Sequence, residues 1–184
     1  ATLHAGGLTG FDGATGTVLW TVKDALSGRG ATCLRYVAGG TETFLTARGQ
    51  CLEPKTGKVL WAAEGVTGAH NMVAADERFL LLGDDTGIRC FSVGTGKPVW
   101  QKADLLQWRE ITPAIVQGHA YVRAVTPAAR KASQAKTYCL DLATGAVKGE
   151  ASGTKSFSSV TAGDGRIFNA NAALVIYQAA DPAH

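Results

Sequence analysis

The chain has 184 residues, of which 46% are apolar and 18% charged, with a formal net charge of +3. That leaves room for a sizeable hydrophobic core and excludes a disordered, collagen-like or coiled-coil chain. No apolar run approaches the roughly 20 residues of a membrane-spanning helix, and the basic residues are scattered rather than gathered into the patch that nucleic acid requires. Neither a membrane span nor a nucleic-acid partner is expected.

The opening ATLHAGG lacks the basic region and apolar stretch of a secretory signal. Residues 1–24 predict a partial unit, the last two strands of one, ending in the phrase GFDGATGTVLW. Residues 30–64 predict four strands, CLRYVAG, ETFLTAR, QCLEP and KVLWAAE. The same sequence of strands follows in 69–103, with HNMVAAD, ERFLLLG, GIRCFSV and KPVWQKA, and in 110–152, with AIVQG, HAYVRAV, TYCLDLA and AVKGEA. Residues 157–184 predict a further partial unit of three strands ending in LVIYQ. These segments are short, rich in β-branched and aromatic residues, and punctuated by Gly, Asp and Asn, which is the pattern of antiparallel strands joined by hairpins.

One phrase organises the chain. GFDGATGTVLW, CLEPKTGKVLW, CFSVGTGKPVW and CLDLATGAVKG align without gaps, and their glycines Gly16, Gly57, Gly96 and Gly145 are 41, 39 and 49 residues apart. Four residues after the glycine stand Trp20, Trp61 and Trp100, with Gly149 in the fourth copy. Four residues before it stand Asp12, Glu53, Ser92 and Asp141, polar side chains suited to accept hydrogen bonds from the N–H groups of a tight turn. The glycine supplies the positive φ that such a turn needs. The long third step comes from an insertion, TPAARKASQAK, that carries Arg130, Lys131 and Lys136 and no acid, and is expected to be a solvated loop in the middle hairpin of its unit.

Four-stranded units recurring at about 40 residues specify an all-β propeller of antiparallel blades, in which each sheet buries its faces against its neighbours. The in-phase tryptophans then pack between blades, the indole body buried and its N–H bonded nearby. The phrase resembles the tryptophan-docking motif of pyrroloquinoline-quinone-like propellers, written Ala-Leu-Asp-x-x-Thr-Gly-Lys-x-x-Trp, and CLEPKTGKVLW matches it best. The resemblance implies Gly16, Trp20, Gly57, Trp61, Gly96, Trp100 and Gly145 as structural motif residues, about four blades in this chain, and a place in a larger propeller of seven or eight. It extends to bacterial exported propellers and outer-membrane assembly lipoproteins, which implies a periplasmic or exported location. A protein partner or a second propeller half is expected to cover the end blades.

The chemistry-bearing residues are few. Cys51, Cys90 and Cys139 lie six residues before the motif glycine, where the family has a small residue, and read as small core residues; Cys33 lies in another strand. GTGKP and KTGKV lack the distal glycine and the Ser or Thr of a phosphate-binding loop, and no nucleophile elbow or zinc helix occurs. Asp84 and Asp85 are paired carboxylates in a loop, which suits a hard cation, but two acidic ligands without a calcium-loop pattern are too few for a calcium site. The blade-connecting loops carry the candidate ligand-binding residues: Arg29, His70, Asn71, Trp108, Arg109 and Glu110. Trp108 is the one tryptophan out of phase, and beside Arg109 and Glu110 it could stack on a planar or sugar ligand. The leading expectation is a non-catalytic binding or scaffold propeller presenting these loops to a protein or small ligand, with no catalytic residues. The alternatives are a fragment of a quinone-dependent dehydrogenase and a polysaccharide-binding or -cleaving propeller. The adjacent cysteines of the quinone alcohol dehydrogenases are absent, so neither pyrroloquinoline quinone nor calcium is expected as a cofactor, and no metal site is expected.

Overall fold

Five antiparallel sheets follow one another along the chain. The computed structural model describes residues 2–4, 7–23, 33–38, 41–66, 72–84, 86–107, 113–129, 134–152, 159–163, 166–170 and 174–178. The first sheet orders β1 (Thr2–His4), β2 (Gly7–Phe11) and β3 (Val18–Lys23) side by side. The second contains β4 (Cys33–Ala38), β5 (Thr41–Thr46), β6 (Gln50–Leu52) and β7 (Val59–Ala62), and the third β8 (Met72–Ala75), β9 (Phe79–Asp84), β10 (Gly87–Ser92) and β11 (Pro98–Lys102), each in sequence order. In the fourth, β12 (Leu106–Gln107) and β13 (Ala114–Val116) both pair with β14 (His119–Val125), which is followed by β15 (Lys136–Asp141) and β16 (Val147–Ser152). The fifth contains β17 (Ser159–Gly163), β18 (Arg166–Ala170) and β19 (Leu174–Gln178).

The first strands of successive sheets are neighbours: β4 lies beside β8, β8 beside β13, and β13 beside β17. Sheets that meet at their inner strands and radiate outward give each sheet two faces to bury, and the period-2 alternation of the strands supplies both. On β10, Ile88 and Cys90 enter one core with Ala120, Val122, Tyr138 and Leu140 of the fourth sheet. Phe91, on the opposite face, enters another with Leu45, Cys51 and Ala63 of the second. β9 divides in the same way, with Leu81 in the former core and Leu80 and Leu82 in the latter. The arrangement is the all-β blade stack that the repeat predicts.

Three details depart from the sequence reading. The first sheet has three strands where two were expected, because Thr2–His4 pairs with Gly7–Thr9; three residues are too short a run to show alternation. The fourth sheet starts ahead of residue 110, since Leu106 and Gln107 pair with Val125 and Ala124. Lys136 belongs to strand β15 rather than to a solvated loop, and its ammonium is paired with the Glu150 carboxylate across the strand pair.

Candidate functional site

Each copy of the phrase builds the same turn. Asp12 Oδ1 accepts hydrogen bonds from the N–H groups of Ala14 (3.0 Å) and Thr15 (2.8 Å) and from the Thr15 hydroxyl (2.9 Å). Asp141 repeats this with the N–H (2.9 Å) and hydroxyl (2.8 Å) of Thr144, and in the second copy Thr56 donates to Glu53. The Thr15 N–H holds the Asp12 carboxyl below the usual aspartate value, and the Thr144 hydroxyl does the same for Asp141, because these donors favour the charged form. Gly16, Gly57, Gly96 and Gly145 close the turns at φ of 69 to 72°.

The glycine meets a second demand from the neighbouring sheet. A Cβ on Gly57 would fall 2.6 Å from the ring of Trp20, on Gly96 2.6 Å from that of Trp61, and on Gly145 2.7 Å from that of Trp100. The indole N–H groups of Trp20 and Trp100 donate to the carbonyls of Pro54 and Leu142, each at 2.8 Å. Each indole therefore rests on the next sheet's turn, and those of Trp20 and Trp100 are tied to its backbone. On its own sheet the tryptophan stands opposite the residue six before the motif glycine: Trp20 opposite Gly10, Trp61 opposite Cys51 and Trp100 opposite Cys90. That position is small because the indole lies across it; a Cβ on Gly10 would come 2.2 Å from the Trp20 ring. Cys51 and Cys90 are buried beneath, whereas Cys139, opposite Gly149, is only half-buried. All three are free thiols, and burial pushes the Cys90 thiol up to about 12, which leaves it inert at neutral pH.

A one-residue bulge recurs in the outer strand of all four copies, just before Trp20, Trp61 and Trp100 and, in the fourth, just before Gly149. The bulge turns Leu19, Leu60 and Val99 outward, which accounts for their exposure on edge strands. Such bulges twist an edge away from pairing with other chains.

The candidate ligand-binding residues of the loops, Arg29, His70, Asn71, Trp108, Arg109 and Glu110, all lie outside the described residues. So does Asp85, the second carboxylate of the paired aspartates. The strands on either side of Trp108, Arg109 and Glu110 in sequence, β12 and β13, pair with opposite ends of β14. Among the described residues no three His, Cys, Asp or Glu side chains stand close enough to hold a metal ion.

The one groove whose lining is described opens between the second and third sheets, with a volume of about 380 Å³, walled by Glu64, Gly65, Arg89, Phe91, Pro98, Trp100 and Gln101. Arg89 crosses its floor, donating from Nη1 to the Gly65 carbonyl at 3.2 Å, while its Nε is buried without a hydrogen-bond partner. A guanidinium held by one nitrogen can still receive an anionic or carbonyl oxygen. Sequence reasoning missed Arg89 because it sits within a strand. Its phase gives the signal: seven residues before the motif glycine, Arg89 stands where Tyr138 stands in the fourth sheet, and there the buried phenol is part of the core.

The model of the family "Outer membrane protein assembly factor BamB" matches residues 4–180. The chain belongs to this family. Among solved structures it is similar to the crystal structure of BamB from Moraxella catarrhalis, at 23% identity and a TM-score of 0.64 over 95% of this chain and 52% of that one. It is also similar to the computationally designed Ika4 protein, at 14% identity and a TM-score of 0.59 over 84% of this chain and 96% of that one. No curated protein matches. The BamB family and the likeness to BamB identify the sheets as blades of a pyrroloquinoline-quinone-like β-propeller. The chain spans about half the length of the BamB chain it resembles.

Proposed function

We propose that this chain is a non-catalytic scaffold propeller that binds protein partners in outer-membrane protein assembly, acting in the periplasm or at the cell exterior. The observation that carries the reading is the family model named for an assembly factor, which spans residues 4–180. The spending of polar groups supports it. The acidic residues of the motif hold turns, Lys136 and Glu150 pair with each other, and the indole N–H groups of Trp20 and Trp100 bond backbone carbonyls of the next blade. Side chains committed in this way stiffen a surface and do not perform proton transfer.

The partners are other polypeptides docked on the blade-connecting loops, with a second set of blades, on the same or another chain, covering the end sheets. Purified protein immobilised on a sensor is expected to bind the isolated outer-membrane assembly machinery of its own host reversibly, with light scattering reporting whether two copies pair. Absence of binding, together with stoichiometric uptake of pyrroloquinoline quinone and calcium and dye reduction by an alcohol or sugar, would replace the scaffold by a quinone-dependent dehydrogenase.

A further inference from the structure

The groove at Arg89 holds polar groups that the fold does not use. On the outer hairpin of the third sheet Arg89 stands opposite Gln101, and Phe91 opposite Pro98, so the four share the face turned toward the second sheet. Glu64 and Gly65, at the exit of the second sheet, form the facing wall. Two hydrogen bonds between the sheets fix the walls: the Glu64 N–H donates to the Gly96 carbonyl at 3.1 Å, and Arg89 Nη1 to the Gly65 carbonyl at 3.2 Å. Among the described residues neither the Glu64 carboxylate nor the Gln101 amide has a hydrogen-bond or ion-pair partner, and Arg89 Nε is buried without one. Other boundaries place different chemistry at these phases. The pair corresponding to Glu64 and Arg89 is Lys23 with Gln50 between the first and second sheets, and Ala103 with Tyr138 between the third and fourth. Packing residues recur from copy to copy and these do not, so blade packing does not require them.

Charge and shape select the occupant. A carboxylate in the groove would gain Arg89 but face Glu64, and an ammonium would gain Glu64 but face Arg89. An uncharged group that carries both a donor and an acceptor suits the two together, and the peptide unit is such a group. A sugar ring would need an open aromatic face. The indole of Trp100 rests on Gly145 and covers Cys90, and Phe91 is only 1% exposed, so neither offers one. At about 380 Å³ the groove is at the lower end of the roughly 300–1,000 Å³ range of ligand clefts, room for a short stretch of extended chain and not for a folded element. We propose that this groove captures an extended segment of a partner polypeptide by its main chain. Glu64 accepts a backbone N–H, the Arg89 guanidinium and the Gln101 amide donate to backbone carbonyls, and Pro98 packs on an uncharged side chain. A buried donor without a partner is unfavourable, and a carbonyl that draws the guanidinium outward relieves it. The proposal rests on the scaffold reading and gives it a site: Glu64 and Gly65 begin the connection from β7 to β8, one of the blade-connecting loops assigned to partners. Main-chain bonds supply affinity without demanding a particular sequence.

NMR titration of the full chain with the blocked, uncharged peptide acetyl-Thr-Leu-Thr-amide tests this. The Arg89 side-chain N–H and the backbone amides of Glu64, Gly65 and Gln101 are expected to shift together and to saturate at millimolar peptide. Methylating the main-chain nitrogens of the probe is expected to weaken its binding to the parent about fivefold, the factor that one hydrogen bond supplies. In Glu64→Ala the two probes are expected to bind within about twofold of each other, because the acceptor that reads the N–H is gone. Arg89→Met and Gln101→Ala are each expected to weaken the unmethylated probe about fivefold. Glu64 and Gln101 are exposed, so their variants decide the matter even if Arg89→Met does not fold. Absence of shifts at the groove would overturn the proposal, as would an equal effect of methylation in the parent and in Glu64→Ala. Acetate alone or methylammonium alone moving the same resonances as strongly would make the groove an ion site and overturn it too. The sensor experiment on the assembly machinery separates the two readings. Machinery binding left intact by Glu64→Ala and Gln101→Ala, with no peptide shifts, removes the groove and keeps the scaffold. Peptide shifts in a protein that does not bind the machinery keep the groove and remove the assembly partner.

Discussion

The third and fourth blades contain the same phrase in the same register with the same bulge, yet their in-phase cysteines live in different places. Cys90 is fully buried beneath Trp100, and Cys139 is half-buried opposite Gly149. A repeat unit does not own its burial. What covers a position is the residue across the strand pair together with the neighbouring sheet, so one substitution at the tryptophan phase changes the environment of a residue ten positions away in sequence.

The largest expected effect removes what distinguishes the two blades. Trp100→Ala deletes the indole that covers Cys90, lands on Gly145 and bonds the Leu142 carbonyl; the cost is about 3 kcal/mol, at the low end for a large aromatic because Trp100 is only half-buried. A urea unfolding series reads it, and an unchanged midpoint would contradict the packing role. Next comes a paired test of glycines. Gly10→Ala sets a methyl group into the Trp20 ring and is expected to cost about 1 to 3 kcal/mol, whereas Gly149→Ala meets no described atom within 4 Å and is expected to stay within about 0.5 kcal/mol of the parent. Equal effects at the two sites would erase the contrast between covered and uncovered copies.

Thiol reactivity sharpens the same comparison without disturbing it. Burial raises the thiols of both Cys90 and Cys139, with the Cys90 thiol pushed up to about 12 and Cys139 relieved in part by a hydrogen bond with Tyr121 and by the charge of Lys148. In the folded protein at mildly alkaline pH, Cys139 is expected to react with a disulfide reagent before Cys90, as peptide mapping after short exposure would show.

The smallest effect belongs to the turns. Asp12 and Asp141 are held below the ordinary aspartate value, so each carboxylate contributes stability that is fully present above that value and is lost as pH falls through the lower folded one. Both lie at the surface and are partly exposed, and solvent screening keeps the contribution small. The urea midpoint of the parent is expected to drop slightly more on acidification from about pH 5 to about pH 2 than that of Asp141→Asn; parallel curves would show that the turn does not depend on the charge.

How much was legible differs from feature to feature. The Thr-Gly turns were readable because their chemistry is local: the bonds of Asp12 to Ala14 and Thr15 span two and three residues. The tryptophan phase was readable through recurrence. The small residue six before the motif glycine was visible as a pattern, but its cause, an indole lying across it, required the strand register. Arg89 carried a signal only in the comparison of copies, since a strand arginine looks solvated until Gly65 and Phe91 are placed beside it. The loop residues chosen from the sequence, from Arg29 to Glu110, lie outside the described residues.

By itself the sequence determined the all-β class, the period, the turn at each Thr-Gly and the phase of the tryptophans, because all of these follow from interactions within a few residues or from repetition of one unit. Only the tertiary structure decided which sheet each indole reaches, why Gly10, Cys51 and Cys90 must be small, that a groove opens at Arg89, and that Cys139 is left half-covered. Those outcomes depend on surfaces brought together from residues tens of positions apart, where the free energy comes from area shared between neighbours and no single segment contains it.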